Sequence, residues 1–235
     1  MEGEHDAADA SGYLLTGRSL WEYRAMFALD DEDLRGDILD CPGGAASFAA
    51  ETAELGARAI AVDPVYRLPA PELIALAAAE LDRNAAHTAA AADRYVWDFY
   101  GDPDGHRQLR QTAAHRFAED LRANPRRYRY GALPALDFPD RSFDLVLSSH
   151  LLFTYSDRLD FDFHLAALRE LARVSRSEVR VFPLVDHAGG RLDDLLERLR
   201  DALRGEGVRS DIAVVDFEFQ RGASSMLRLT VGAGA

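Results

Sequence analysis

The sequence predicts an α/β protein: a doubly wound, mostly parallel seven-stranded sheet with helices on both faces and a C-terminal antiparallel hairpin. Three observations predict it. Short runs of consecutive apolar residues, as expected of strands buried on both faces, alternate with longer segments of helical periodicity. The first of these runs leads straight into a proline-glycine turn and a second helix. The last two runs stand close together with no helix between them, so they pair antiparallel. No repeat or linker divides the chain, and 235 residues suit one domain spanning 1–235.

In chain order, residues 1–12 are small and polar and read as a loose tail. A helix at 20–29 follows Ser19 as its N-cap, and residues 1–36 form an N-terminal tail and cap. Residues 37–41 are a buried strand stopped by Pro42-Gly43-Gly44, and 45–55 a helix ended by Gly56. A second strand at 59–62 is closed by Asp63-Pro64, and an alanine-rich helix fills 71–93. Residues 95–105 are aromatic and turn-rich, and a charged helix covers 106–123. We read about 94–124 as an inserted, substrate-side segment. Strands follow at 128–130 and 143–148, a helix at 164–174, a strand at 179–184 and a helix at 192–203. Strands at 212–219 and 226–231 close the chain.

The formal net charge is −13, and every one of the 27 basic residues is arginine. Such acidity repels a phosphate backbone, so no nucleic-acid partner is expected. The run Arg126-Arg127-Tyr128-Arg129 reads as the polar lead-in to a strand. One cysteine, Cys41, excludes an internal disulfide and a multi-cysteine zinc site, and Asp186-His187 has no third partner at metal-ligand spacing. No metal is therefore expected. No apolar run approaches the roughly 18 residues of a membrane span, and the acidic opening is not a signal peptide. The expected location is cytoplasmic and the expected partner a small-molecule substrate; oligomeric state is left open.

The chemistry gathers in three places. In Ile38-Leu39-Asp40-Cys41-Pro42-Gly43-Gly44-Ala45 a buried strand delivers glycines to a helix start, where backbone approaches a ligand closely. Asp63 ends the next strand, placed to accept hydrogen bonds from ribose hydroxyls. Residues 131–148 form a turn, a short loop and a strand. With this order and spacing, the stretch from Asp37 to Pro183 resembles the class I S-adenosylmethionine (SAM)-dependent methyltransferases.

The resemblance implies SAM as cofactor, with S-adenosylhomocysteine as product. It implies that Gly43 and Gly44 line its methionine and ribose, with Asp40 and Cys41 in the supporting turn. Asp63 would bind the ribose hydroxyls, Pro64 and Val65 would pack near adenine, and backbone at Ala132 and Leu133 would read the adenine edge. Ser148, Ser149 and His150 would face the reacting methyl group. Two departures stand out. Cys41-Pro42 replaces part of a more glycine-rich turn, and Ala132 stands where an acidic residue is common, leaving Asp137 or a carbonyl as acceptor.

The first helix is the expected cap, with Arg18 as a partner for the SAM carboxylate and Tyr13, Trp21 and Tyr23 as candidate walls. His150 is the first candidate base and Tyr155 the second; each also reads as a structural residue. Substrate selection is expected in residues 95–100 and 151–155, although Trp97 and Phe99 read equally well as anchors docking the insertion. Direct methyl transfer to a small molecule is the leading activity. Transfer or cyclisation of the aminocarboxypropyl group, and non-catalytic SAM binding, stay open. A nicotinamide fingerprint needs glycines where Ala45 and Phe48 stand.

Overall fold

The structure, a computed structural model, describes residues 14–232. The tail at 1–12 and Tyr13 lie outside the described residues. Seven strands form one sheet: β1 (Asp37–Asp40), β2 (Arg58–Val62), β3 (Tyr128–Arg129), β4 (Phe143–Ser149), β5 (Ser175–Phe182), β6 (Arg209–Val214) and β7 (Ser225–Thr230). Their spatial order is β3-β2-β1-β4-β5-β7-β6. The first five run parallel, while β7 lies antiparallel to both β5 and β6. The chain winds outward from β1 in one direction and from β4 in the other. The crevice beyond these two strands is the switch point at which such sheets bind ligands.

Alternation along the strands builds two cores. Ile38, Ala61, Leu145 and Leu147 face one side, against α1 (Leu20–Phe27), α2 (Phe48–Glu54), α3 (Ala70–Ala90) and α4 (Pro103–Ala123). Leu39, Val62, Val146 and Val179 face the other, against α5 (Phe161–Val174) and α6 (Asp193–Gly205). Both faces are covered, which explains why these strands read as unbroken apolar runs.

The cap is held by polar contacts as well as by packing. Ser19 and Glu22 form a reciprocal capping box at the start of α1. At its far end Arg180, on β5, grips Asp33 through two contacts at 2.8 and 2.9 Å and donates to the carbonyl of Phe27 at 2.9 Å.

Three expectations are revised. The helix read at 164–174 begins at Phe161, because Asp160 accepts from the Phe163 N–H at 2.8 Å and caps it. The strand read at 179–184 begins at Ser175, a polar start that pairs with Phe143 across an irregularity in β4. The strand read at 212–219 ends at Val214, where its pairing with β7 ends. Phe217 instead packs against Phe99 and Phe182, and Phe219 against Tyr95, Trp97 and His106. Two long helices, α3 and α4, fill the crossover from β2 to β3, where one suffices. The run 126–129 is engaged locally: Arg127 pairs with Asp120, and Arg129 lies over the Phe138 ring. Among the described residues, no helix is long and apolar enough to cross a membrane.

Packing predicts a contrast in stability. Leu168→Ala, in the fully buried face of α5, should cost about 2–5 kcal/mol of unfolding free energy. Val214→Ala, at a residue 82% exposed on the edge strand β6, should stay within about 0.5 kcal/mol of wild type. Urea unfolding of both variants checks this.

Candidate active site

Loops leaving β1, β2, β3 and β4 enclose a cavity of about 440 Å³ at the carboxyl edge of the sheet. The turn after β1 lies flat against β2. Gly43 donates its N–H to the Val62 carbonyl at 2.9 Å, and a Cβ there would stand 2.7 Å from the Ala61 Cβ and from the Tyr66 hydroxyl. Gly44 adopts φ +54°, a left-handed conformation that glycine takes without strain.

Asp63 locks this turn to the next loop. One carboxylate oxygen accepts from the Gly44 N–H and the other from the Val65 N–H, each at 2.9 Å. Burial outweighs these donors and lifts its pKa to about 6. Beneath the turn, Asp40 accepts from the Tyr23 hydroxyl at 3.0 Å to each oxygen. Burial raises the pKa of both groups, and the Asp40 charge adds to the rise at Tyr23. Burial likewise pushes the Cys41 thiol up, so it is no thiolate nucleophile at neutral pH.

A strap of residues 14–18 crosses the opening. Leu14 N–H donates to the Tyr155 hydroxyl at 2.9 Å, and Asn84 donates to the Leu15 carbonyl at 3.2 Å. The carbonyls of Thr16 and Arg18 accept from the N–H groups of Ala45 and Ser47 at 3.3 and 2.9 Å. Arg18 is 8% exposed; its Nη1 donates to the Thr16 hydroxyl at 2.6 Å, while its buried Nε has no partner. Burial, with Arg110 nearby, lowers its pKa to about 10, which leaves it cationic at neutral pH.

Beyond the strap lies a second cavity of about 370 Å³, and Arg18, His150 and Tyr155 line both. His150 ends β4 at φ +54°, a strained conformation for a non-glycine residue, held by its N–H on the Phe182 carbonyl at 2.8 Å. Its Nδ1 is buried without a partner, and burial lowers the pKa well below the ordinary histidine value. The ring is therefore neutral and presents an acceptor. A buried network backs the second cavity: Glu22 accepts from Tyr100 and pairs with Arg110 at 2.9 Å, and Arg110 also donates to His106 at 3.1 Å.

Of the residues singled out from sequence, Arg18, Cys41, Gly43, Gly44, Asp63, Pro64, Ala132, Leu133, Ser149, His150 and Tyr155 all line the first cavity, as does Tyr23. Asp40 lies beneath it. Ser148 does not line it, because alternation along β4 turns it with Val146 to the opposite face from Ser149. Trp21 is 51% exposed and stacks on Phe99 at 3.8 Å rather than walling a cavity. Asp137 is exposed and outside the lining. In the aromatic segment only Tyr95 borders a cavity; Trp97 and Phe99 dock the insertion through Phe217, Phe219 and His106. His164 is buried in α5 with both ring nitrogens against backbone carbonyls. Sequence reasoning missed Leu76, Glu80 and Arg83, which bring α3 against the first cavity. The surplus helix between β2 and β3 was the available signal. Among the described residues, no three His, Cys, Asp or Glu side chains are grouped to hold a metal ion.

A family model described as a methyltransferase domain matches residues 39–182. An uncharacterized protein of Methanocaldococcus jannaschii is 29% identical over 218 residues, covering 91% of this chain and 94% of that protein. An uncharacterized methyltransferase of Bacillus subtilis is 33% identical over 128 residues, 52% of this chain and 47% of that one. Among solved structures, magnesium protoporphyrin IX methyltransferase from Synechocystis with bound SAH aligns over 91% of this chain and 82% of its own. Its identity is 13% and its TM-score 0.49.

The turn geometry predicts that Gly43→Ala destabilises the protein by about 1–3 kcal/mol, because the added methyl meets Ala61 and Tyr66. An unchanged denaturation midpoint would show that the turn yields freely.

Proposed function

We propose that this chain, which belongs to the class I SAM-dependent methyltransferase family, methylates a small-molecule acceptor bound in the second cavity. The observation that carries this reading is the meeting of the two cavities at Arg18, His150 and Tyr155. The first cavity suits SAM in its chemistry. It offers a glycine cradle, a buried acidic acceptor at the end of β2, and a cationic Arg18 with an unsatisfied Nε.

Gly43 and Gly44 would lie along the methionine and ribose, and Asp63 would accept from the ribose hydroxyls. Pro64 and Val65 would pack on the adenine while backbone at Ala132 and Leu133 meets its edge. Arg18 would pair with the carboxylate as a charge-assisted donor. SAM, when bound, supplies an electrophilic methyl group on a sulfonium that departs as a neutral thioether.

The chain's own contribution is orientation, shielding and proton transfer. Holding reactants in line contributes about 7–11 kcal/mol in favourable cases. The strap and α3 cover the site and exclude water. His150, unpartnered at Nδ1, would accept a hydrogen bond from a hydroxyl nucleophile and take its proton as the methyl transfers, although the burial that keeps the ring neutral also makes it a weak base. Ser149, beside it, lines the first cavity and would give SAM a polar contact near the reacting methyl group. Tyr155 holds the strap through its hydroxyl and so positions both ligands.

Two predictions follow from these roles. The free protein holds Asp63 near pKa 6, and ribose hydroxyls donate to its ionised form, so S-adenosylhomocysteine affinity should fall as pH drops through about 6. Asp63→Ala should abolish that dependence and weaken binding at neutral pH by about 1–3 kcal/mol; titration calorimetry across pH decides it. His150→Ala should leave S-adenosylhomocysteine affinity unchanged and lower kcat by about 10²-fold or more, with an acceptor found by substrate screening. Full activity in a folded variant across pH would remove His150 from the chemistry, and release of methylthioadenosine instead of S-adenosylhomocysteine would defeat methyl transfer.

A further inference from the structure

Charge is distributed unevenly in this molecule. The chain carries 40 acidic and 27 basic side chains, yet the second cavity is bordered by five arginines and one carboxylate. The arginines are Arg18, Arg94, Arg107, Arg110 and Arg158, and the acid is Asp157, which stands 3.8 Å from both Arg158 and His187. Arg110 is committed to Glu22 and Arg107 reaches Asp104 at 2.8 Å. Cations outnumber carboxylates even with those two acids counted.

A second observation is independent of charge. Four buried polar side-chain atoms lack a partner among the described residues, Arg18 Nε, Ser148 Oγ, His150 Nδ1 and Thr154 Oγ1, and all but Ser148 belong to residues lining this cavity. A buried polar group left unsatisfied costs about 1–3 kcal/mol; with Arg18 directed to the first cavity, His150 Nδ1 and Thr154 Oγ1 mark where a second ligand's polar atoms belong. Tyr95, Phe182, Phe217 and Phe219 give the wall aromatic faces, beside aliphatic ones from Leu14, Leu15 and Leu81.

We infer that the second cavity binds a small organic anion, with an aromatic or otherwise apolar body against the Phe182, Phe217 and Phe219 walls and a carboxylate-type group among the arginines. This rests on the reading of that cavity as the acceptor site. Guanidinium groups match carboxylates in geometry as well as charge. A cationic cleft in an acidic protein also concentrates anions that the remaining surface repels. The volume, about 370 Å³, suits a small molecule.

Indole-3-propionate, indole-3-propionamide and tryptamine share one aromatic body and differ in charge, so they serve as matched probes. They are titrated by ligand-observed NMR into the full-length protein with saturating S-adenosylhomocysteine. The carboxylate should bind at least about tenfold more tightly than the amide or the amine. The double variant R94Q/R107Q, changed at two exposed side chains, should bring the carboxylate down to the affinity of the amide and leave the amide and S-adenosylhomocysteine unaffected. Equal binding of all three probes, preference for the amide or the amine, or no binding of any of them overturns the inference. Failure of the wild-type protein to bind S-adenosylhomocysteine would instead bring down the reading of the first cavity.

Discussion

The Asp63 carboxylate takes an N–H from Gly44 with one oxygen and an N–H from Val65 with the other, and so joins the loops after β1 and β2. Much of the site's geometry depends on that join. It holds the glycine turn against β2, where Gly43 has no room for a side chain. With Gly44 in a left-handed conformation, the turn exposes the Ala45 N–H to the Thr16 carbonyl, and the strap docks there. The strap in turn separates one cavity from the other. Holding a carboxylate this deep raises its pKa, and further hydrogen-bond donors to the ionised form would lower it again.

The buried pair of Glu22 and Arg110 performs a related task beside the second cavity. A buried ion pair is a poor source of stability unless its remaining hydrogen-bonding capacity is met. Here it is met. Glu22 accepts from the Ser19 N–H and hydroxyl at 2.8 and 3.0 Å and from the Tyr100 hydroxyl at 2.8 Å. Arg110 donates to the Gly17 carbonyl at 2.5 Å as well as to His106. One network therefore fixes α1, α4, the aromatic insertion and the strap relative to each other. Of the buried side-chain polar atoms that stay unmet among the described residues, those of Arg18, His150 and Thr154 belong to residues facing the second cavity, and only Ser148 Oγ lies elsewhere.

How much of this was legible in the sequence depended on how local the cause was. The glycine turn, Asp63 and the loop after β3 are set by neighbouring residues, so the part of the first cavity that they line was readable, whereas the part lined by Leu76, Glu80 and Arg83 of α3 was not. Arg18 was readable only as a candidate, because its role depends on the fold of the strap. The second cavity was largely invisible. Its walls come from α3, α4, the end of β5 and the segment after β6, and nothing local marks His106, Phe182 and Phe217 as neighbours. Phe217 and Phe219 alternate with acidic residues and so mimic a strand. Tertiary contact overrode that pattern: Val96 donates to the Phe219 carbonyl at 2.7 Å, drawing the segment onto the aromatic insertion. Trp21 failed for a similar reason, since its partner Phe99 lies far along the chain.

The most direct test of this account is calorimetric titration of the purified wild-type protein with SAM and S-adenosylhomocysteine, with NADH as the control. The account predicts micromolar binding of one equivalent of each sulfur nucleoside and no binding of NADH. Absence of binding by either sulfur nucleoside, in folded protein shown to be free of carried-over ligand, would contradict it.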